Sequence, residues 1–116
     1  MAQQNRRAVG AKWEILAEQY LTEKGLRILE RNYYFKGGEI DLIAADGEYL
    51  CFIEVKYRKT EALGFPEEAV GYAKQRKLLL GARCYLYEHQ LPDSIPCRFV
   101  VVAILGQQIT WIQDAF

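Results

Sequence analysis

The sequence predicts a mixed α/β domain, a central sheet with helices packed on it, and three observations lead there. Helix-like and strand-like periodicities follow one another in the order helix, three strands, helix, two strands. Turn-forming dipeptides separate the strand-like runs, and the longest apolar run, Phe99 to Leu105, is far too short to cross a membrane. A length of 116 residues suits one core, so residues 1–116 are expected to form a single domain, with a flexible polar tail over about residues 1–8.

Each element has its own signal. Val9, Trp13, Leu16, Ala17, Tyr20 and Leu21 recur at helical spacing, which predicts a first helix from Arg7 to Lys24 with Gly25 as its stop. Leu26 to Phe35 reads as a first strand, ended by Lys36-Gly37-Gly38. Glu39 to Ala45 is a second strand, and Asp46-Gly47 suits a type I′ hairpin turn into a third, Glu48 to Tyr57. After the polar Arg58 to Leu63 segment, Pro66 followed by Glu67 and Glu68 marks the start of a second helix, expected from Pro66 to Glu88. Pro92 to Pro96 breaks the chain. Arg98 to Leu105 then has the continuous apolar character of a strand buried on both faces, Gly106-Gln107 turns, and Gln108 to Gln113 is a short last strand.

Composition removes several function classes. The chain is 51% hydrophobic and 26% charged, which excludes a disordered chain, and without a signal peptide or apolar helix the expected location is the cytoplasm, with no membrane contact. Lys and Arg number 15 against 15 Asp and Glu, so a nucleic-acid role must rest on local charge asymmetry rather than on a broadly basic surface. Cys51, Cys84 and Cys97 lack any CxxC spacing, and His89 and Ser94 are the sole histidine and serine. The cysteine spacing argues against a disulfide framework or a structural zinc site, and the single histidine and serine argue against a Ser-His-acid triad or a two-histidine metal site.

The chemistry concentrates in Gly38-Glu39-Ile40-Asp41 and Glu54-Val55-Lys56. If Asp46-Gly47 is a two-residue turn, Ala45 pairs with Glu48, Asp41 with Phe52 and Glu39 with Glu54. That register puts Glu39, Asp41, Glu54 and Lys56 on one sheet face, with Asp41 and Glu54 as diagonal neighbours roughly 7–8 Å apart. Three carboxylates among Ile, Leu, Val and Phe repel one another and resist ionisation, a conflict that a divalent cation relieves. Oxygen ligands suit Mg²⁺ or Mn²⁺, and a lysine beside the ion can hold a water or neutralise charge on a phosphoryl group. The plainer reading of such alternating charges is a solvated sheet face, but Leu50 and Phe52 share that face.

Glu14, Gly37-Gly38-Glu39-Ile40-Asp41, Phe52-Ile53-Glu54-Val55-Lys56-Tyr57-Arg58, Gly64-Phe65-Pro66 and the closing Ile112-Gln113-Asp114-Ala115-Phe116 together resemble the YraN-like family of bacterial proteins, over about Gly10 to Phe116. That family is similar in fold to the restriction-endonuclease-like, PD-(D/E)XK nucleases, which include Holliday-junction resolvases. The resemblance implies an αβββαβ core with a central mixed sheet flanked by helices. It implies Asp41 and Glu54 as metal ligands, Lys56 as the catalytic lysine and Glu14 as the helix-one glutamate. Glu14 lies beside the apolar stripe, while Glu18 points further toward solvent. Glu39 matches the family pattern and could stabilise the turn, bind Lys56 or touch the metal. Trp13 stands where the family pattern has glycine, and Val100 where it has aspartate.

Helix two carries Lys74, Arg76, Lys77 and Arg83 with no acidic residue between Glu68 and Glu88. With Lys56, Arg58 and Lys59 these form a candidate phosphate-binding rim. The leading expectation is therefore a Mg²⁺- or Mn²⁺-dependent endonuclease-like hydrolase acting on DNA, branched DNA included; by analogy with junction-cleaving enzymes, which cut two strands, it would be a homodimer. Two alternatives stand beside it: a noncatalytic nucleic-acid-binding module that retains the fold, and a protein-interaction domain.

Overall fold

The computed structural model describes the backbone of residues 2–58 and 71–112, and the side chains of 12–58 and 71–112. Helix α1 covers Ala2–Glu23, strands β1 to β3 cover Arg27–Phe35, Gly38–Asp46 and Tyr49–Arg58, helix α2 covers Tyr72–Glu88, and strands β4 and β5 cover Cys97–Leu105 and Gln108–Ile112. The strands form one sheet in the order β1-β2-β3-β4-β5. Neighbours are antiparallel except β3 and β4, which run parallel because the connection through α2 carries the chain back across the sheet. The element order and the mixed α/β class match the sequence expectation.

Three boundaries differ. Where a tail was expected, the backbone is helical from Ala2, in keeping with the helix-forming Ala, Gln and Arg residues there. Helix α2 begins at Tyr72 instead of Pro66, because Gly71 is its N-cap in an extended conformation (φ −77°, ψ 171°); Pro66 itself lies outside the described residues. The β2-β3 hairpin turns on Gly47-Glu48, with Asp46 opposite Tyr49. Gly47 alone takes positive φ (60°) at the first central position, which is the type II′ arrangement and not I′.

Both helices end in the same way. Gly25 (φ 97°) follows α1, with Leu26 N donating to Leu21 O at 3.1 Å and Gly25 N to Thr22 O at 3.0 Å. These are the two bonds of a Schellman cap, and Leu21 and Leu26 also meet in the core. After α2, Gln90 holds the left-handed position (φ 54°), with Leu91 N on Leu86 O at 2.9 Å.

Each helix covers one sheet face. Ala17 and Leu21 of α1 pack with Leu42, Ala44, Cys51, Ile53, Val100, Val102 and Ile104. Leu78, Ala82 and Tyr85 of α2 pack with Ile40, Ile43, Leu50 and Phe52. Gly81 permits the close approach on this second face, since a Cβ there would sit 2.6 Å from Phe35 Cε1 and 2.8 Å from Ile40 Cδ1. Strict alternation would group Ile40 with Leu42 and Ala44, yet Ile40 joins Ile43 on the α2 face, so β2 flips its faces at Asp41. Strand β1 flips beside it at Asn32, which has φ 52°. Arg31 reaches Glu18 of α1, whereas Tyr33 packs in the α2 layer.

Candidate metal centre

The flip positions the site. Pairing of β2 with β3 runs from Asp46↔Tyr49 to Leu42↔Ile53 and stops, while β2 stays paired with β1 to Phe35↔Gly38. Ala45 therefore lies opposite Leu50, two residues away from the expected Glu48, because the turn is one residue further along the chain. Continued by one step, the ladder sets Asp41 opposite Glu54 instead of diagonal to it, and no Glu39-Glu54 pair forms. The shift is even, so the face assignment of β3 survives it. The expectation of one shared face nonetheless fails, because the kink in β2 turns Glu39 and Asp41 toward Glu14 of α1 while Glu54 and Lys56 stay on the α2 side of β3.

Asp41 stands where β2 parts from β3, and its Oδ2 accepts the Val55 backbone N–H at 2.8 Å. The side chain thus replaces a ladder partner that β2 no longer supplies. Glu14, one face of α1, closes over this gap: one carboxylate oxygen from each of Glu14, Glu39 and Asp41 lies within 4.8 Å of the others. Glu39 accordingly sits with the carboxylates and not with the turn. Glu18, one turn along α1, is instead paired with Arg31, whose Nε donates to Glu18 Oε2 at 2.7 Å.

Glu54 approaches from the opposite layer. It follows Leu50 and Phe52 on the α2 side of β3, and among the described residues it is the one buried charged side chain, 4% exposed. Its Oε1 takes two ammonium groups, Lys56 Nζ at 3.4 Å and Lys74 Nζ at 3.2 Å. Its Oε2 is buried with no hydrogen-bond partner among the described residues. The contact with Lys74 has no signature in the sequence, where that residue reads as one more basic position on a helix.

The electrostatics follow from this crowding. Burial pushes the Asp41 carboxyl up to about 7, with the Glu54 charge adding to it and the Val55 N–H partly opposing it; Glu14 and Glu39 push the same way. Burial also raises Glu14, helped by Glu39 and Glu54. Three carboxylates meet, Glu54 adds its charge from the α2 side, and no basic side chain pairs with Asp41 among the described residues. Trp13, next to Glu14, stacks on Tyr57 at 3.9 Å, and both rings pack against the α1-side core.

The proposed basic rim is distributed more widely. Arg58 is half-buried, with Nη1 donating to Tyr57 O at 3.2 Å. Arg76, Lys77 and Arg83 line a groove of about 640 Å³ along the outward side of α2, with Tyr72, Leu79 and Leu80. Lys59 lies outside the described residues.

Residues 13–104 match the uncharacterised protein family UPF0102. The chain belongs to this family. It is 46% identical to a UPF0102 protein of Lachnoclostridium phytofermentans over 97% of this chain and 95% of the relative. A UPF0102 protein of Saccharophagus degradans is also 46% identical, over 100% of this chain and 97% of its own. The UPF0102 protein YraN of Escherichia fergusonii is 44% identical over 92% and 82%. The UPF0102 match thus spans the whole carboxylate cluster, Glu14, Glu39, Asp41 and Glu54, together with Lys56 and Lys74. No helix among the described residues is long and apolar enough to cross a membrane.

Proposed function

We propose that this UPF0102 protein is a metal-dependent, nuclease-like hydrolase of DNA phosphodiester bonds, with Mg²⁺ or Mn²⁺ held by Asp41 and Glu54. The observation that carries the reading is Glu54, a buried carboxylate with one oxygen tied to lysines and the other without a partner among the described residues, whose charge acts on Asp41 in the cluster of Glu14, Glu39 and Asp41. A bare, buried, charge-bearing oxygen costs stability unless something binds it, typically about 1–3 kcal/mol or more. An all-oxygen donor set with one ligand fixed by a backbone N–H fits a hard divalent cation and does not fit zinc.

When bound, such an ion supplies Lewis-acid polarisation of a phosphoryl oxygen and a more acidic water. The chain's own groups do the rest. Val55 N–H orients Asp41, and Lys56, held by Glu54, is a cation that can offset negative charge developing on a phosphoryl group bound at the site. Glu14 and Glu39 complete the oxygen lining. Arg76, Lys77 and Arg83 supply phosphate contacts that position a strand without reading its sequence.

The test is incubation of the pure protein with labelled linear, single-stranded and four-way-junction DNA in Mg²⁺ or Mn²⁺, beside Asp41→Ala and Glu54→Ala. Metal-dependent cleavage lost in both variants is the expected result, and preferential cutting of the junction extends it to branched DNA. Cleavage unchanged in both variants rejects the site. Salt-sensitive retention without cleavage points to the noncatalytic module.

A further inference from the structure

Resting on the metal-site reading above, we propose that Lys74 is the site's stand-in cation: it neutralises Glu54 while no metal is bound and is released when the ion arrives, becoming a phosphate contact for nucleic acid. Three observations meet here. Lys74 and Lys56 crowd the same oxygen of Glu54, at 3.2 and 3.4 Å, although one ammonium suffices to pair one carboxylate. The two lysines differ in freedom. Lys56 issues from β3 two residues from Glu54 and its side chain is 23% exposed, whereas Lys74 reaches in from the first turn of α2 and is 37% exposed. Lys74 is therefore the partner that can leave, its long stem swinging toward solvent on the helix that also presents Arg76, Lys77 and Arg83.

Charge settles the direction of the exchange. The Glu14, Glu39 and Asp41 cluster together with Glu54 carries four negative charges when all are ionised, against the two lysines held by Glu54, a deficit of two that equals the charge of one divalent ion. With both lysines on its Oε1, however, Glu54 itself is over-neutralised, so it contributes less to holding an ion than it would with Lys74 gone. Metal and Lys74 thus compete for Glu54. Released beside a loaded site, Lys74 adds a positive charge only once the metal is present. Metal loading then precedes tight nucleic-acid binding.

The test is calorimetric titration of Mn²⁺ into the wild type, Lys74→Met, Lys74→Gln and Lys74→Arg without nucleic acid, with thermal melts alongside. Lys74→Met should bind Mn²⁺ about tenfold more tightly at low salt, with a gain that shrinks as salt screens the repulsion. Its melting temperature should fall without metal and rise more on adding Mn²⁺ than the wild type's. Lys74→Gln keeps a donor for Oε1 but no charge and should also tighten binding, whereas Lys74→Arg should stay near the wild type. In Ca²⁺, filter retention of a DNA duplex should gain less from the ion in Lys74→Met than in the wild type. Mn²⁺ affinity unchanged or weakened in Lys74→Met and Lys74→Gln overturns the exchange while leaving the metal site standing. Absence of Mn²⁺ binding by the wild type rejects the metal-site reading and the exchange with it.

Discussion

Asp46 and Asp41 stand at the two ends of one stretch of β2 and meet opposite circumstances. At the Asp46 end the strand is paired on both sides, and Arg98 of β4 lies 3.5 Å from the carboxylate with its guanidinium over the Tyr49 ring at 3.7 Å. At the Asp41 end β2 has left β3, the carboxylate borrows a backbone N–H, and its neighbours are other carboxylates. The first end closes a sheet. The second keeps an opening that weakens the fold, as binding sites commonly do.

The largest expected effect lies on the closed side of this contrast. Phe52→Ala removes a fully buried ring that stacks on Phe99 and meets Tyr85 edge-on, and should cost about 3–5 kcal/mol in urea denaturation. Mn²⁺ should not restore it beyond the wild type's own gain.

Asp41→Asn should do the reverse at the open end. Because the folded chain holds Asp41 protonated up to about 7 against an ordinary value of 3.8, the metal-free protein binds the extra proton in the folded state across that window. Stability therefore falls as pH rises from 3.8 to about 7, and Glu14 contributes with the same sign. Asn still accepts the Val55 N–H but carries no charge, so the variant should be more stable than the wild type at pH 8 and show a flatter pH profile in chemical denaturation.

Two smaller effects sharpen the account of the scaffold. Gly81→Ala would gain helix propensity but press a methyl group onto Phe35 and Ile40, for a net loss of about 1–2 kcal/mol by thermal melting. Gln90→Gly, relieving a left-handed residue at the α2 cap, should add about 1 kcal/mol or less.

The element order was legible because periodicity and turn residues report local structure. The two-residue error in hairpin register arose because Gly47 can serve in either of two adjacent turns, Asp46-Gly47 or Gly47-Glu48, and only the backbone tells which. The face flip at Asn32 and Asp41 left no mark in the alternation pattern, since it is a backbone event shared by two strands. Of the residues the sequence pattern picked out, the fold gathers Glu14, Glu39 and Asp41 into one cluster, and sets Glu54 and Lys56 as an ion pair on the α2 side, with the Glu54 charge acting on Asp41. Lys74 was visible as a basic helix residue, but its contact with Glu54 depends on how α2 docks, which Gly81 governs and no local motif encodes.

The most direct measurement is a calorimetric titration of Mn²⁺ at pH 7.5 into the wild type, Asp41→Ala and Glu54→Ala, each first shown to be folded by near-ultraviolet circular dichroism. Saturable binding by the wild type, lost or weakened at least about tenfold in both variants, is the predicted result. No binding by the wild type, or equal binding by all three, would contradict the claim that the open end of β2 is a metal site.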